Sequence, residues 1–116
     1  MRRHTILVVD DESSLREIIV RSLQAEGYRV IEAGDGLQAL ALLDQHELDI
    51  ALVITDIRMP RMDGYELADR ITVRPTPLPM VFISGYDQGG ISLPGSLFPK
   101  PFAMDALLGE IRRLLD

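Results

Sequence analysis

Apolar residues fall into two kinds of run that alternate along the chain. Thr5–Val9 (TILVV) and Ile50–Ile54 (IALVI) are short, apolar and rich in β-branched residues, so the first predicts a buried-type strand and the second a strand buried on both faces, and Met80–Ile83 (MVFI) predicts a further strand. Tyr28–Ala33 (YRVIEA) alternates more and predicts an edge strand with one wetter face. Leu97-Phe98 predicts a short fifth strand. Pro99 and Pro101 place it at a sheet edge, because proline cannot donate to a ladder. Between these runs the spacing changes to helical. Leu15, Ile18, Ile19 and Leu23 mark a first helix, with Gly27 as its C-terminal cap and the Ser13, Ser14, Glu17 spacing predicting a capping box at its start. After a turn at Gly34–Gly36, Leu37, Leu40, Ala41 and Leu43 mark a second helix reaching about His46, and Gly64 to about Val73 a third. Met104, Leu107, Leu108, Ile111, Leu114 and Leu115 form the stripe of the last helix. Residues 87–96 (DQGGISLPGS) leave room for no more than about a turn or two of helix between the fourth and fifth strands. Strand alternating with helix predicts an α/β fold, a parallel sheet with helices on both faces.

Length and composition narrow the classes of function. At 116 residues the chain predicts one domain, 1–116, with no second domain expected, and it shows no repeat, linker or low-complexity tail. It has no cysteine, which excludes disulfides and thiolate metal sites. No apolar run approaches the roughly 20 residues of a membrane span, and MRRHTILVV is too short before its acidic turn for a signal peptide, so the expectation is a cytoplasmic protein without membrane contact. A net charge of −6 argues against nucleic acid as a partner and suits a cation or a basic protein surface. Positive charge is carried by eleven arginines and the single lysine Lys100. A compact ammonium fits where a planar guanidinium fork does not.

The chemistry-bearing residues sit at strand ends. Strand one runs into Asp10 and Asp11, strand three into Asp56, strand four into Ser84 and strand five into Lys100. A parallel sheet gathers these carboxyl ends on one edge, where open α/β sheets place their sites. Three carboxylates brought together repel one another, and a hard divalent cation with oxygen ligands relieves that repulsion. Mg²⁺ is the expected ion, and Mn²⁺ could substitute. Asp11 and Asp56 are the expected direct ligands, with Asp10 acting through water and a backbone carbonyl just past Asp56 completing the protein's share. Asp56 then keeps an oxygen free as a nucleophile towards phosphorus, while Lys100 and the Ser84 hydroxyl neutralise and hydrogen-bond the incoming phosphoryl oxygens. Strand-end acids also serve as helix caps, and Asp63 before Gly64 reads as such a turn and cap residue. Arg58 and Arg61 read as a solvated loop flanking the site.

LVVDDE at 7–12, TDIRMPRMDGYEL at 55–67, ISGY at 83–86 and KPF at 100–102, in this order over essentially the whole chain, resemble the receiver domain of bacterial response regulators. The resemblance implies a five-stranded, doubly wound, flavodoxin-like sheet of order 2-1-3-4-5. It implies a phosphoryl group passed from a histidine kinase or phosphotransfer protein to Asp56 in a Mg²⁺-dependent reaction. It further implies Asp10, Asp11 and Asp56 as the acidic pocket, the Arg58 main-chain carbonyl as the third protein ligand, Ser84 as the switch hydroxyl and Lys100 as the partner of the phosphorylated aspartate. Such a domain is not an enzyme; it assists only its own phosphorylation and dephosphorylation.

Two features depart from the family pattern. The aromatic usual three residues before the lysine is here Leu97, and only 15 residues separate Ser84 from Lys100. The helix between strands four and five is therefore expected to be shortened or absent. PMVFISGY at 79–86 followed by a glycine-rich loop resembles a receiver subclass with a PFxFATGY-like signature and a reduced fourth helix. In that setting the signal would be ordering of residues 86–96, with Tyr86 taking the part of the missing aromatic. Two alternatives stand beside this reading. One is a Mg²⁺-dependent phosphohydrolase with an aspartate nucleophile, disfavoured because the usual second acid two residues on is Arg58. The other is a receiver serving as a phosphate sink or docking unit.

Overall fold

The structure, a computed structural model, describes residues 4–46, 49–76, 78–85 and 93–116. Five strands, β1 (Thr5–Val9), β2 (Arg29–Ala33), β3 (Ile50–Asp56), β4 (Met80–Ser84) and β5 (Gly95–Pro99), form one sheet of order β2-β1-β3-β4-β5 with every pairing parallel. Among the described residues the helices are α1 (Ser13–Ala25), α2 (Gly36–Gln45), α3 (Gly64–Thr72) and α4 (Met104–Leu115).

The period of two along each strand sends successive side chains to opposite layers. Leu7, Val9, Val53 and Phe82 pack with Ala39 and Leu43 of α2 and Leu67 and Ile71 of α3. Ile6, Val8, Leu52, Ile54, Val81 and Ile83 pack with Ile19 and Leu23 of α1 and Leu107 and Ile111 of α4. This two-sided burial explains the uninterrupted apolar runs of β1, β3 and β4, all of which are central. The two edges are β2 and β5, as the wetter run and the prolines predict. The chain changes direction of winding between β1 and β3, and the crevice at the carboxyl ends there is the ligand position of this fold class.

Local starts and stops follow side-chain chemistry. Gly27 closes α1 with φ +96°, a conformation that costs L-residues dearly, and its N–H donates to the Gln24 carbonyl. Asp35 and Asp63 cap α2 and α3, accepting from the Gln38 and Glu66 amides at 2.8 and 2.9 Å. The capping box predicted for α1 does not form. Glu12 is the N-cap and gives no side-chain cap, and Glu17 pairs instead with Arg21 at 2.5 Å. The cause lies one step upstream: Asp10 Oδ1 accepts the Glu12 amide at 2.9 Å, and this turns the chain into the helix before Ser14.

The expected reduction of the helix between β4 and β5 falls on residues 86–92, Tyr86 among them, which lie outside the described residues. The fifth strand is longer than its apolar pair, because Gly95 and Ser96 also pair, with Met80 and Val81. Glu110 of α4 accepts from the Ser96 hydroxyl and from Arg113, tying this edge strand to the helix beneath it. Arg113 and then Ser96 pull the Glu110 carboxyl down to about 2. No described helix is long and apolar enough to cross a membrane.

Candidate functional site

Each predicted site residue lies at the carboxyl edge of the sheet. Asp10 follows β1, Asp56 ends β3, Ser84 ends β4 and Lys100 follows β5. Asp10, Asp56 and Ser84 are buried, whereas Asp11 is exposed on the rim. Carboxylate oxygens of Asp10, Asp11 and Asp56 lie within 4.8 Å of one another.

Lys100 reaches across from the sheet edge. Its Nζ lies 3.0 Å from Asp56 Oδ2, 3.7 Å from Asp10 Oδ2 and 3.9 Å from Glu12 Oε1. Its own amide donates to the Ser84 carbonyl at 2.6 Å, so β4 and β5 deliver their end residues as one unit. The other Asp56 oxygen, Oδ1, accepts the Arg58 amide at 3.3 Å, which fixes the start of the loop leading to α3. Gly64 is required where that loop returns: its N–H donates to the Ile57 carbonyl at 2.7 Å, and a Cβ there would stand 2.6 Å from the Asp56 carbonyl.

The electrostatics are unbalanced towards negative charge. Among the described residues, Lys100 pairs with Asp10, Asp56 and Glu12, and Asp11 adds a further carboxylate to the cluster. Asp10 Oδ2 is buried without a hydrogen-bond partner, an expensive position for an ionised oxygen. Burial, with the neighbouring Asp56 and Asp11 charges, raises the Asp10 carboxyl to about 6 against the pull of the Glu12 amide and Lys100. Burial alone would lower Lys100; the hydrogen bond to Asp56 and the charges of Asp10, Asp56 and Glu12 outweigh it and raise the ammonium's pKa. A divalent cation with oxygen ligands meets both the orphaned oxygen and the surplus of charge, so the residues present fit such an ion.

Several contributors are invisible in the spacing of the motifs. Arg16 Nη1 donates to the Asp10 carbonyl at 2.5 Å while its Nε holds Glu32 at 3.1 Å, bracing the acidic turn against β2. Glu12 joins the Lys100 cluster. Arg61 is not merely solvated: its Nε and Nη2 each lie 2.7 Å from Asp35 Oδ2. The Gln38 amide and then Arg61 hold the Asp35 carboxyl below the usual carboxylate range despite burial. Only the fold brings these pairs together, since residues such as 35 and 61 share no motif.

Residues 6–92 match the response regulator receiver domain family. The chain is 37% identical over 116 residues to the response regulator MprA of Mycobacterium sp. (strain KMS), covering 95% of this chain and 50% of that protein. It is 32% identical over 118 residues to the sensor kinase CckA of Brucella abortus (strain 2308), covering 97% of this chain and 12% of the kinase. The chain therefore spans half or less of the length of these curated relatives. Among solved structures, the receiver domain of the hybrid histidine kinase CckA superposes with a TM-score of 0.84 at 35% identity, over 97% of this chain and 99% of that one. The response regulator TrrA of Thermotoga maritima, in complex with Mg²⁺ and BeF, gives 0.84 at 32% identity over 97% and 99%. Sheet order, strand-end residues and these matches agree: the chain belongs to the response regulator receiver domain family of two-component signalling.

Proposed function

We propose that Asp56 is the phosphoacceptor and that Asp10, Asp11, Asp56 and the Arg58 main-chain carbonyl form the protein's share of a Mg²⁺ site. The buried Asp10 Oδ2 without a hydrogen-bond partner, within reach of two further carboxylates and with the Lys100 ammonium at 3.7 Å, is the observation that carries this reading. Bound Mg²⁺ would neutralise the carboxylates and the phosphoryl oxygens that approach them. Asp11 and Asp56 would hold it directly and Asp10 through water. Asp56 supplies the oxygen that bonds to phosphorus as the bond from phosphorus to the donor's imidazole nitrogen breaks. Lys100, already paired with Asp56 Oδ2, moves its charge onto a phosphoryl oxygen, and the Ser84 hydroxyl, at the end of β4, hydrogen-bonds another.

The donor in this reading is a sensor histidine kinase or a phosphotransfer protein in the cytoplasm, and the chain is a signalling module rather than an enzyme. Phosphorylation changes the face spanning residues 84–100, against which a protein target binds. Leu97, on β5 opposite Phe82 and 39% exposed, replaces the aromatic expected there. The readout therefore passes through the segment next to it. Incubation with acetyl phosphate and Mg²⁺ tests the chemistry. A single-phosphate mass shift that requires Mg²⁺ and disappears in Asp56→Ala is the expected result. An adduct that survives the substitution, or turnover without any adduct, sinks the reading.

A further inference from the structure

The loop from Ile57 to Asp63 carries Arg58, whose amide holds Asp56 Oδ1 and whose carbonyl is the proposed ligand. This loop is fastened to a different part of the molecule, the N-terminus of α2. Both Arg61 Nε and Nη2 lie 2.7 Å from Asp35 Oδ2, while Asp35 Oδ1 is committed to the Gln38 amide at 2.8 Å. One carboxylate thus caps the helix with one oxygen and grips the loop with the other. The adjacent residues close the same joint. Met62 is 4% exposed and packs so closely on Gly36 that a Cβ there would stand 2.8 Å from the Met62 side chain and carbonyl.

Two features bear on what this joint does. Arg61 adopts φ +67°, the left-handed region, which costs a non-glycine residue about 1 kcal/mol and persists where surrounding contacts impose it. The guanidinium end of the pair is 59% exposed and the carboxylate end 12%, so solvent screens the attraction only in part and the Asp35 end is fixed in the fold. A strained backbone held to a fixed carboxylate is a contact that sets the geometry of the loop.

We propose that Arg61 and Asp35 are positioning residues for the phosphoacceptor site: their ion pair holds the loop so that the Arg58 main chain stays aligned with Asp56 and the cation. This rests on the function proposed above. Neither residue touches the cation or the phosphoryl group; both act through Arg58.

The test is Mg²⁺ affinity of the unphosphorylated protein, by calorimetric titration, in wild type, Arg61→Ala, Asp35→Asn, the double variant and Arg61→Lys. Asp35→Asn keeps an oxygen for the Gln38 amide and so preserves the cap. The expected result is weakening by roughly three- to thirtyfold in each single variant, a double variant no weaker than either single, and substantial recovery in Arg61→Lys. The sign for Arg61→Ala is diagnostic, because removing a cation near the site tightens Mg²⁺ binding if charge alone acts. Unchanged or tighter binding in Arg61→Ala, with or without a lowered melting temperature, overturns the proposal. In each variant, the Arg58 amide resonance is expected to move in parallel with affinity; a resonance that stays in place while affinity falls also overturns it. Absence of Mg²⁺ binding in the wild type would instead bring down the function on which the proposal stands.

Discussion

Asp10 is held ionisable in the fold at a cost in stability. Its carboxyl is raised from 3.8 to about 6, chiefly by burial. A carboxyl with a higher pKa folded than unfolded contributes stability that is fully present below about pH 3.8 and is lost as pH rises through about 6. At pH 7.5 without metal, Asp10 therefore destabilises the fold by up to about 3 kcal/mol. Asp10→Asn is expected to raise stability by about 1–3 kcal/mol under those conditions while weakening Mg²⁺ binding. Urea denaturation with and without Mg²⁺ checks both halves, and a less stable Asn variant in metal-free buffer contradicts the account. Gly64 is the steric counterpart. Gly64→Ala places a methyl group against the Asp56 carbonyl and the Ile57 Cα, at 2.6 and 2.8 Å, and neither backbone atom can yield without moving Asp56. A loss of about 1–3 kcal/mol together with slower phosphorylation is expected, read by denaturation and by the rate of adduct formation.

At the scale of elements, the starts of the helices divide into those set by local chemistry and those set by the site. Asp63 caps α3 through its own side chain, so Asp63→Ala is expected to cost about 1 kcal/mol in urea denaturation; no measurable loss would contradict the cap. The start of α1 is set by Asp10, whose carboxylate takes the Glu12 amide, and the Ser14–Glu17 spacing misleads for that reason. The same division explains what the sequence makes legible. The central strands β1, β3 and β4 announce themselves because both their faces are buried, and the edges because they are wetter or hold proline. The first half of β5 is illegible: Gly95 and Ser96 are loop-like by composition and become strand only through pairing with Met80 and Val81. Arg16 on Glu32 and Arg61 on Asp35 are hidden for a related reason, as each contact joins elements that only the sheet order brings together.

Across the whole molecule, the parallel sheet gathers Asp10, Asp11, Asp56, Ser84 and Lys100 on one edge, with more negative charge than Lys100 balances. That imbalance couples metal, proton and fold. Mg²⁺ at ten times its dissociation constant is expected to stabilise the protein by about 1.4 kcal/mol at pH 7.5. The gain should fade below about pH 6, where Asp10 takes up a proton and the site loses charge. Thermal denaturation against pH with and without Mg²⁺ reads this directly, and a gain independent of pH would contradict it. The central claim remains chemical: Asp56 accepts a phosphoryl group from a histidine donor. Its most direct test is transfer from a phosphohistidine-bearing phosphotransfer domain, followed by borohydride reduction, which converts an acyl phosphate on aspartate to homoserine, and peptide mapping. Homoserine at position 56, formed only with Mg²⁺, is the predicted result; modification at any other residue, or loss of phosphate from the donor with no modified aspartate, would contradict it.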